Sequence, residues 1–186
     1  MDAIFVAIPH FLPSASPPFL LSNSITYHRG FVLGTSYTLN VYNIYLGAFS
    51  ETTMDLMDYL GAQIGSSKWY NTLTAYYYYD PKYGQRQYVT NGTSFGGRAT
   101  LLPDEKGLTM TVDDIVSLLY ATLMDPHSDL IMDSGGVYEV MFRGDFNVSF
   151  NGGYWLQDWC SFHSSFELPT GDVIKVPPSP SHPLAL

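Results

Sequence analysis

Tyr37-Thr38-Leu39-Asn40-Val41-Tyr42-Asn43-Ile44-Tyr45-Leu46 is followed within four residues by Ser50-Glu51-Thr52-Thr53-Met54, and this pairing of segments decides the fold class. Tyr, Thr, Val and Ile dominate the first stretch, and such residues suit a pleated surface. Apolar side chains fall on both of its faces, so the pattern predicts a buried strand, as in parallel sheets covered on both sides. Ser50 reads as an N-cap, with Glu51 in the first turn, where a carboxylate suits the positive helix end. Met54, Met57, Leu60 and Ile64 recur at helical spacing and predict an amphipathic helix ending near Gly65.

Beyond that helix, Ser66 or Ser67 is placed to cap a second one through Trp69, Leu73 and Tyr76, while Tyr76 to Tyr79 reads equally as strand. Asp80, Pro81 and Gly84 predict a turn. Short strands are expected over Gln85–Val89 and Gly97–Leu102, with Gly96-Gly97 weakening the second. Thr111 caps a clear helix with Asp113 and Asp114 in its first turn. Ile115, Leu118, Leu119 and Leu123 form its apolar face, and Pro126 closes it. Val137–Phe142 reads as a strand that Asn147–Phe150 extends past an irregularity at Gly144. Tyr154–Trp159 and Val173–Val176 are further strand candidates. Strands alternating with helices favour an α/β class, a layered sheet flanked by helices.

The ends differ in character. Residues 1–24 are rich in Pro and Ser without a sustained period and read as an irregular leader. Met1 to Leu21 is apolar but lacks a basic start and is broken by four prolines, so it is a poor secretory signal. Residues 177–186 hold four Pro in ten and fit neither strand nor helix. The 186 residues suit one domain. They carry 8 Lys and Arg against 17 Asp and Glu, a net charge of −9. A polyphosphate is repelled by that balance, which disfavours general nucleic-acid binding. No apolar run is long enough for a membrane span. One Cys forms no internal disulfide, which suits a reducing compartment or a secreted chain without bridges.

Aromatics make up 16% of the chain, including 15 Tyr. Tyr and Trp serve either as core filler or, when exposed, as flat platforms for sugar rings. Histidine is scarce. His10 and His182 lie in the irregular ends, and His127 follows a helix-ending proline. His28 and His163 are candidate metal ligands or an acid/base pair with Asp145. Cys160 is a candidate nucleophile beside His163. The opposing reading is structural: a histidine bonded to backbone and a cysteine acting as a small buried hydrophobe. Tetrahedral zinc needs three or four protein ligands, and Cys160-x-x-His163 supplies no complete set, so no cofactor is expected beyond a divalent metal at His28 and His163. Asp158 lies among Trp155 and Trp159, but a glycosidase needs a second facing carboxylate. Arg143-Gly144-Asp145 spells an adhesion tripeptide and reads as a strand-end turn. Asn91-Gly92-Thr93 and Asn147-Val148-Ser149 match the glycosylation sequon, which matters only in a secreted chain.

Five segments in a fixed order resemble the plant EXORDIUM (phosphate-induced) family: Ile25 to Leu33 with its His28, Val41 to Gly47, Ser66 to Asn71 with Tyr76-Tyr77, Val140 to Phe146, and Cys160 to Ser164. Together they mark residues 25–176 as an EXORDIUM-like domain. Ser161 stands where the family has Gly, Phe142-Arg143 where it has Thr-Ser, and its second Cys, near Leu156, is missing. The family continues past the last segment, so the resemblance implies a divergent, truncated member whose sheet is incomplete at the C-terminal end. It implies a protein secreted to the apoplast or cell wall, involved in growth or carbon-status signalling, partnered by a wall glycan or an extracellular protein. His28, Asp145, Cys160 and His163 are the matched positions. Two other readings stand beside it: a metal- or carboxylate-dependent hydrolase using His28, Asp145 and His163, and a non-functional fragment.

Overall fold

A computed structural model describes residues 32–102, 109–150, 152–155, 157–158, 161, 164–167, 171 and 173–176. The leader 1–24 and the tail 177–186 lie outside the described residues. The central strand β1 (Leu39–Leu46) lies between β4 (Thr93–Leu101) and β6 (Val137–Phe142), and both pairings are parallel. The chain leaves β1 through helix α1 (Glu51–Gln63) to reach β4. It returns through helix α2 (Val112–Met124) to β6, on the other side of β1. Crossovers of one hand running in opposite directions put their helices on opposite faces. Accordingly, Tyr42, Ile44 and Leu46 pack with Ile115, Leu119 and Leu123 of α2, whereas Tyr45 packs with Met54 of α1 and Met141 of β6. This is a layered α/β fold, and it explains why β1 carries apolar residues on both faces.

Local chemistry sets the helix ends as expected. Ser50 caps α1, its hydroxyl accepting from the Thr53 N–H at 3.2 Å. Thr111 caps α2 in a reciprocal box: its hydroxyl accepts from the Asp114 N–H at 3.2 Å, and the Asp114 carboxylate accepts from the Thr111 N–H at 2.8 Å.

Several segments differ from the sequence reading. Tyr70–Ala75 is one short 3-10 turn rather than an α-helix, started by Ser67, whose hydroxyl accepts from the Tyr70 N–H. Strand β4 begins at Thr93, four residues earlier than expected, because a bulge at Gly96 lets it run past the double glycine. Asn147–Phe150 does not extend β6. The chain turns at Arg143–Phe146, and Asn147–Phe150 becomes β7, pairing with β5 (Thr109–Thr111) and β8 (Gly153–Tyr154) in a second sheet. After Tyr154 the Gln157 and Asp158 N–H groups turn back onto its carbonyl, so Gln157 and Asp158 form a turn and not the expected strand, while Leu156 and Trp159 lie outside the described residues. Val173–Val176 is the expected strand, β10, and pairs antiparallel with β9 (Ser164–Glu167), which the sequence pattern did not reveal.

The crossover from α1 to β4 carries an excursion, residues 66–91. It holds an antiparallel hairpin, β2 (Tyr77–Asp80) and β3 (Gln85–Tyr88). Its turn is the one expected: the Asp80 carboxylate accepts from the Lys82 N–H at 2.8 Å, and Gly84 adopts a positive φ of 64°. The excursion closes at its neck, where the Ser66 N–H reaches the Asn91 carbonyl at 3.0 Å and the Gly65 N–H reaches Thr93 Oγ1 at 2.9 Å.

Candidate functional site

Of the proposed chemical residues, His28, Cys160 and His163 lie outside the described residues, as do His10 and His182. Asp145 is exposed in the turn after β6 and is held by Arg143, whose Nε donates to Asp145 Oδ1 at 2.6 Å and whose Nη2 pairs with Oδ2. Hydrogen bonding from Arg143 holds the Asp145 carboxyl below its ordinary range. Arg143 and Asp145 thus satisfy each other across Gly144, and Asp145 is a weak candidate for a free base. His127 sits exposed in the turn after α2. Asp158 accepts from the Tyr154 N–H at 2.8 Å, a turn-closing role. Among the described residues no three of His, Cys, Asp and Glu are placed to hold a metal ion, and no helix is long and apolar enough to cross a membrane.

The two sequons differ in setting. The Asn91 amide donates to Asn71 at 3.1 Å and its oxygen accepts from the Ser66 N–H at 3.0 Å, so Asn91 fastens the neck of the excursion. Asn147 opens β7 and is half-buried.

A polar row that sequence reasoning missed crosses the α1 face of the sheet. Arg98 of β4, Asn43 of β1 and Glu139 of β6 are register partners. Arg98 bonds Glu51, Asp55 and Asp58 of α1 at 2.9–3.0 Å. Asp58 also accepts from Asn43 Nδ2 at 2.7 Å and lies 2.8 Å from the Tyr45 hydroxyl. The recruited carboxylates turn the helix, so that Met54 and Gly61 are buried while Leu60, counted in the predicted apolar stripe, is exposed. Asp58 is surrounded by donors, so it ties helix to sheet and offers no free base. Asn43 Oδ1 is buried without a hydrogen-bond partner among the described residues. Burial raises the Glu139 carboxyl above its ordinary value. The Glu51-x-x-x-Asp55-x-x-Asp58 spacing was the available signal for this row, since it sets three carboxylates on one helix face.

Near the start of β1, on its α2-facing side, Asp133 accepts from Asn40 Nδ2 at 2.9 Å, from the Tyr42 hydroxyl at 3.1 Å and from the Gly135 N–H at 2.8 Å. Burial pushes its carboxyl up, but these bonds outweigh burial and hold it below the ordinary range. Burial pushes the neighbouring Tyr138 phenol up to about 12.

The excursion is the feature that presents chemistry outward. It contains seven of the 15 tyrosines and one tryptophan. Trp69, Tyr76, Tyr77, Tyr79, Tyr83 and Tyr88 are each 39–66% exposed. In the hairpin register Tyr77 faces Tyr88 and Tyr79 faces Arg86, and residues two apart on a strand share a face. One face therefore carries Tyr77, Tyr79, Arg86 and Tyr88. The Tyr77 and Tyr88 rings lie 5.2 Å apart, and the Arg86 guanidinium sits 4.6 Å over the Tyr77 ring. The hairpin's base is anchored by Tyr70, which is buried, and by hydrogen bonds from Ser36 N–H to the Tyr88 carbonyl and from Thr90 N–H to the Gly34 carbonyl. The aromatic platform is thus held on a fixed mount.

Comparison with models of protein families, with curated proteins and with solved structures finds no match to this chain. The EXORDIUM resemblance therefore rests on its five segments. Three of them lie in described residues: the central strand β1, the excursion, and the end of β6 with its turn.

Proposed function

We propose that this chain is an extracellular, cell-wall-associated EXORDIUM-like protein that contacts glycans without catalysis, in growth or carbon-status signalling. One observation carries the glycan part: the hairpin face of Tyr77, Tyr79 and Tyr88, exposed on an anchored mount. Tyrosines with an apolar ring and a polar tip prefer burial or an interface. A row of them in water is costly to leave unused, and flat rings match the C–H faces of pyranose sugars. The family and the location are supported by the five resembling segments.

A glycan array and a pull-down from wall polysaccharide test the reading. The full chain binds at least one polysaccharide class, and Tyr77→Ala with Tyr79→Ala abolishes binding while the far-ultraviolet dichroism stays unchanged. Absence of any glycan binding by the folded wild-type chain refutes it.

A further inference from the structure

We propose, building on the glycan-contacting reading, that the hairpin face takes a carboxylated polysaccharide, a chain of sugar rings bearing uronate groups. The distribution of cations carries this. Of the six Lys and Arg in the described residues, three are engaged elsewhere: Arg98 with three carboxylates of α1, Arg143 with Asp145, and Lys175 with the Ser134 carbonyl. The other three, Lys68, Lys82 and Arg86, all lie in the excursion, and none has an ion pair among the described residues. Two of them lie against an aromatic ring. Arg86 lies over Tyr77 and Lys82 lies 5.0 Å from the Tyr83 ring centre, while Lys68 precedes Trp69 in the chain.

The excursion holds a single acid, Asp80, so three cations face one carboxylate in a chain whose net charge is −9. A polyanion is thus admitted at this lobe and repelled by the rest of the surface, which limits how densely charged the ligand can be. Nucleic acid, with about one charge per 1.7 Å of duplex axis, meets that repulsion along its whole length. A polyuronate carries one carboxylate per ring and alternates it with an apolar ring face. The guanidinium of Arg86 can take a carboxylate through two parallel N–H···O bonds, and the tyrosines can take the ring faces. Stacking alone would accept any sugar; Arg86 on the stacking face is what selects a charged one.

The experiment titrates the full chain with four probes: polygalacturonate, the same polymer fully methyl-esterified, a neutral β-1,4-glucan oligosaccharide, and poly-L-glutamate. Polygalacturonate is expected to bind about tenfold more tightly than its ester, an advantage that shrinks as salt screens the charge. Arg86→Gln removes that advantage, so that the free acid binds no more tightly than the ester. Tyr79→Ala weakens both sugars, and poly-L-glutamate binds weakly because it offers charge without ring faces. Equal binding of the ester and the free acid overturns the uronate proposal while leaving the glycan reading intact. Equal binding of poly-L-glutamate and polygalacturonate also overturns it, since charge alone would then suffice. If no sugar binds, the glycan reading itself fails.

Discussion

Gly96 shows how much one missing side chain decides. A Cβ there would lie 2.5 Å from the ring of Tyr42, which is fully buried and stacked on Tyr138 at 4.7 Å. Neither ring can yield, so Gly96→Ala is expected to cost about 1–3 kcal/mol, the usual penalty of overpacking, read from urea denaturation. The sequence marked Gly96-Gly97 as a weak point in a strand; what it could not reveal is the ring from a distant strand that needs the space. Glu139 offers a pH test. Its folded-state pKa is raised by burial. Below the ordinary glutamate value both folded and unfolded chains hold the proton, and no penalty arises. As pH climbs past that value the unfolded chain ionises first, and stability falls until the folded pKa is passed. Glu139→Gln is therefore expected to be more stable than wild type at pH 7, with the difference vanishing below the ordinary glutamate range. Denaturant midpoints at several pH values check this. A gap that widens on acidification would contradict it.

At the scale of elements, what was legible was what the chain settles locally. Ser50 and Thr111 were readable as caps because capping involves residues three apart. Thr111→Ala is expected to destabilise by about 1 kcal/mol, measured by thermal or chemical unfolding. The face that α1 turns to the sheet was not readable in the same way. Arg98 lies 40 residues beyond Asp58, and only pairing of β4 with β1 brings it over the helix. Without Arg98, three carboxylates would stand together on one helical face, and Asp58, whose side chain is 13% exposed, would keep its charge unpaired there. Arg98→Ala is thus expected to destabilise more than Glu51→Ala or Asp55→Ala, whose own side chains are water-exposed. Equal effects of the three substitutions would show the row to be a surface decoration. Strand β9 escaped the sequence reading because Ser164–Glu167 is short and has no alternation to mark it; its pairing with β10 defines it.

For the whole molecule, aromatic abundance proves to be two populations. Tyr42, Tyr45, Tyr70 and Tyr138 are buried, while Tyr77, Tyr79, Tyr83 and Tyr88 of the hairpin, and Tyr37, Tyr59 and Tyr154 elsewhere, are exposed. Composition counted them together, so core filler and platform were both open readings, and only the gathering of exposed rings on one hairpin face separates a platform from scattered surface tyrosines. Stability and recognition should therefore be separable. Tyr79→Ala is expected to change stability by no more than about 0.5 kcal/mol while weakening glycan binding, since surface substitutions away from packed features are nearly neutral. Loss of stability on that scale or beyond would place Tyr79 in the core's economy instead. The neck of the excursion bears on how such a protein diversifies. Its two ends meet at Ser66 and Asn91, and a Cβ on Gly65 would overlap the Thr93 backbone nitrogen, so the closure tolerates little change. Everything between those points hangs on one crossover and contributes no strand to the β4–β1–β6 sheet. Length and composition there can drift, or be exchanged by design, with the scaffold's register untouched, much as binding loops vary on a constant framework. A library randomised over residues 76–88 would then return folded proteins of altered sugar preference.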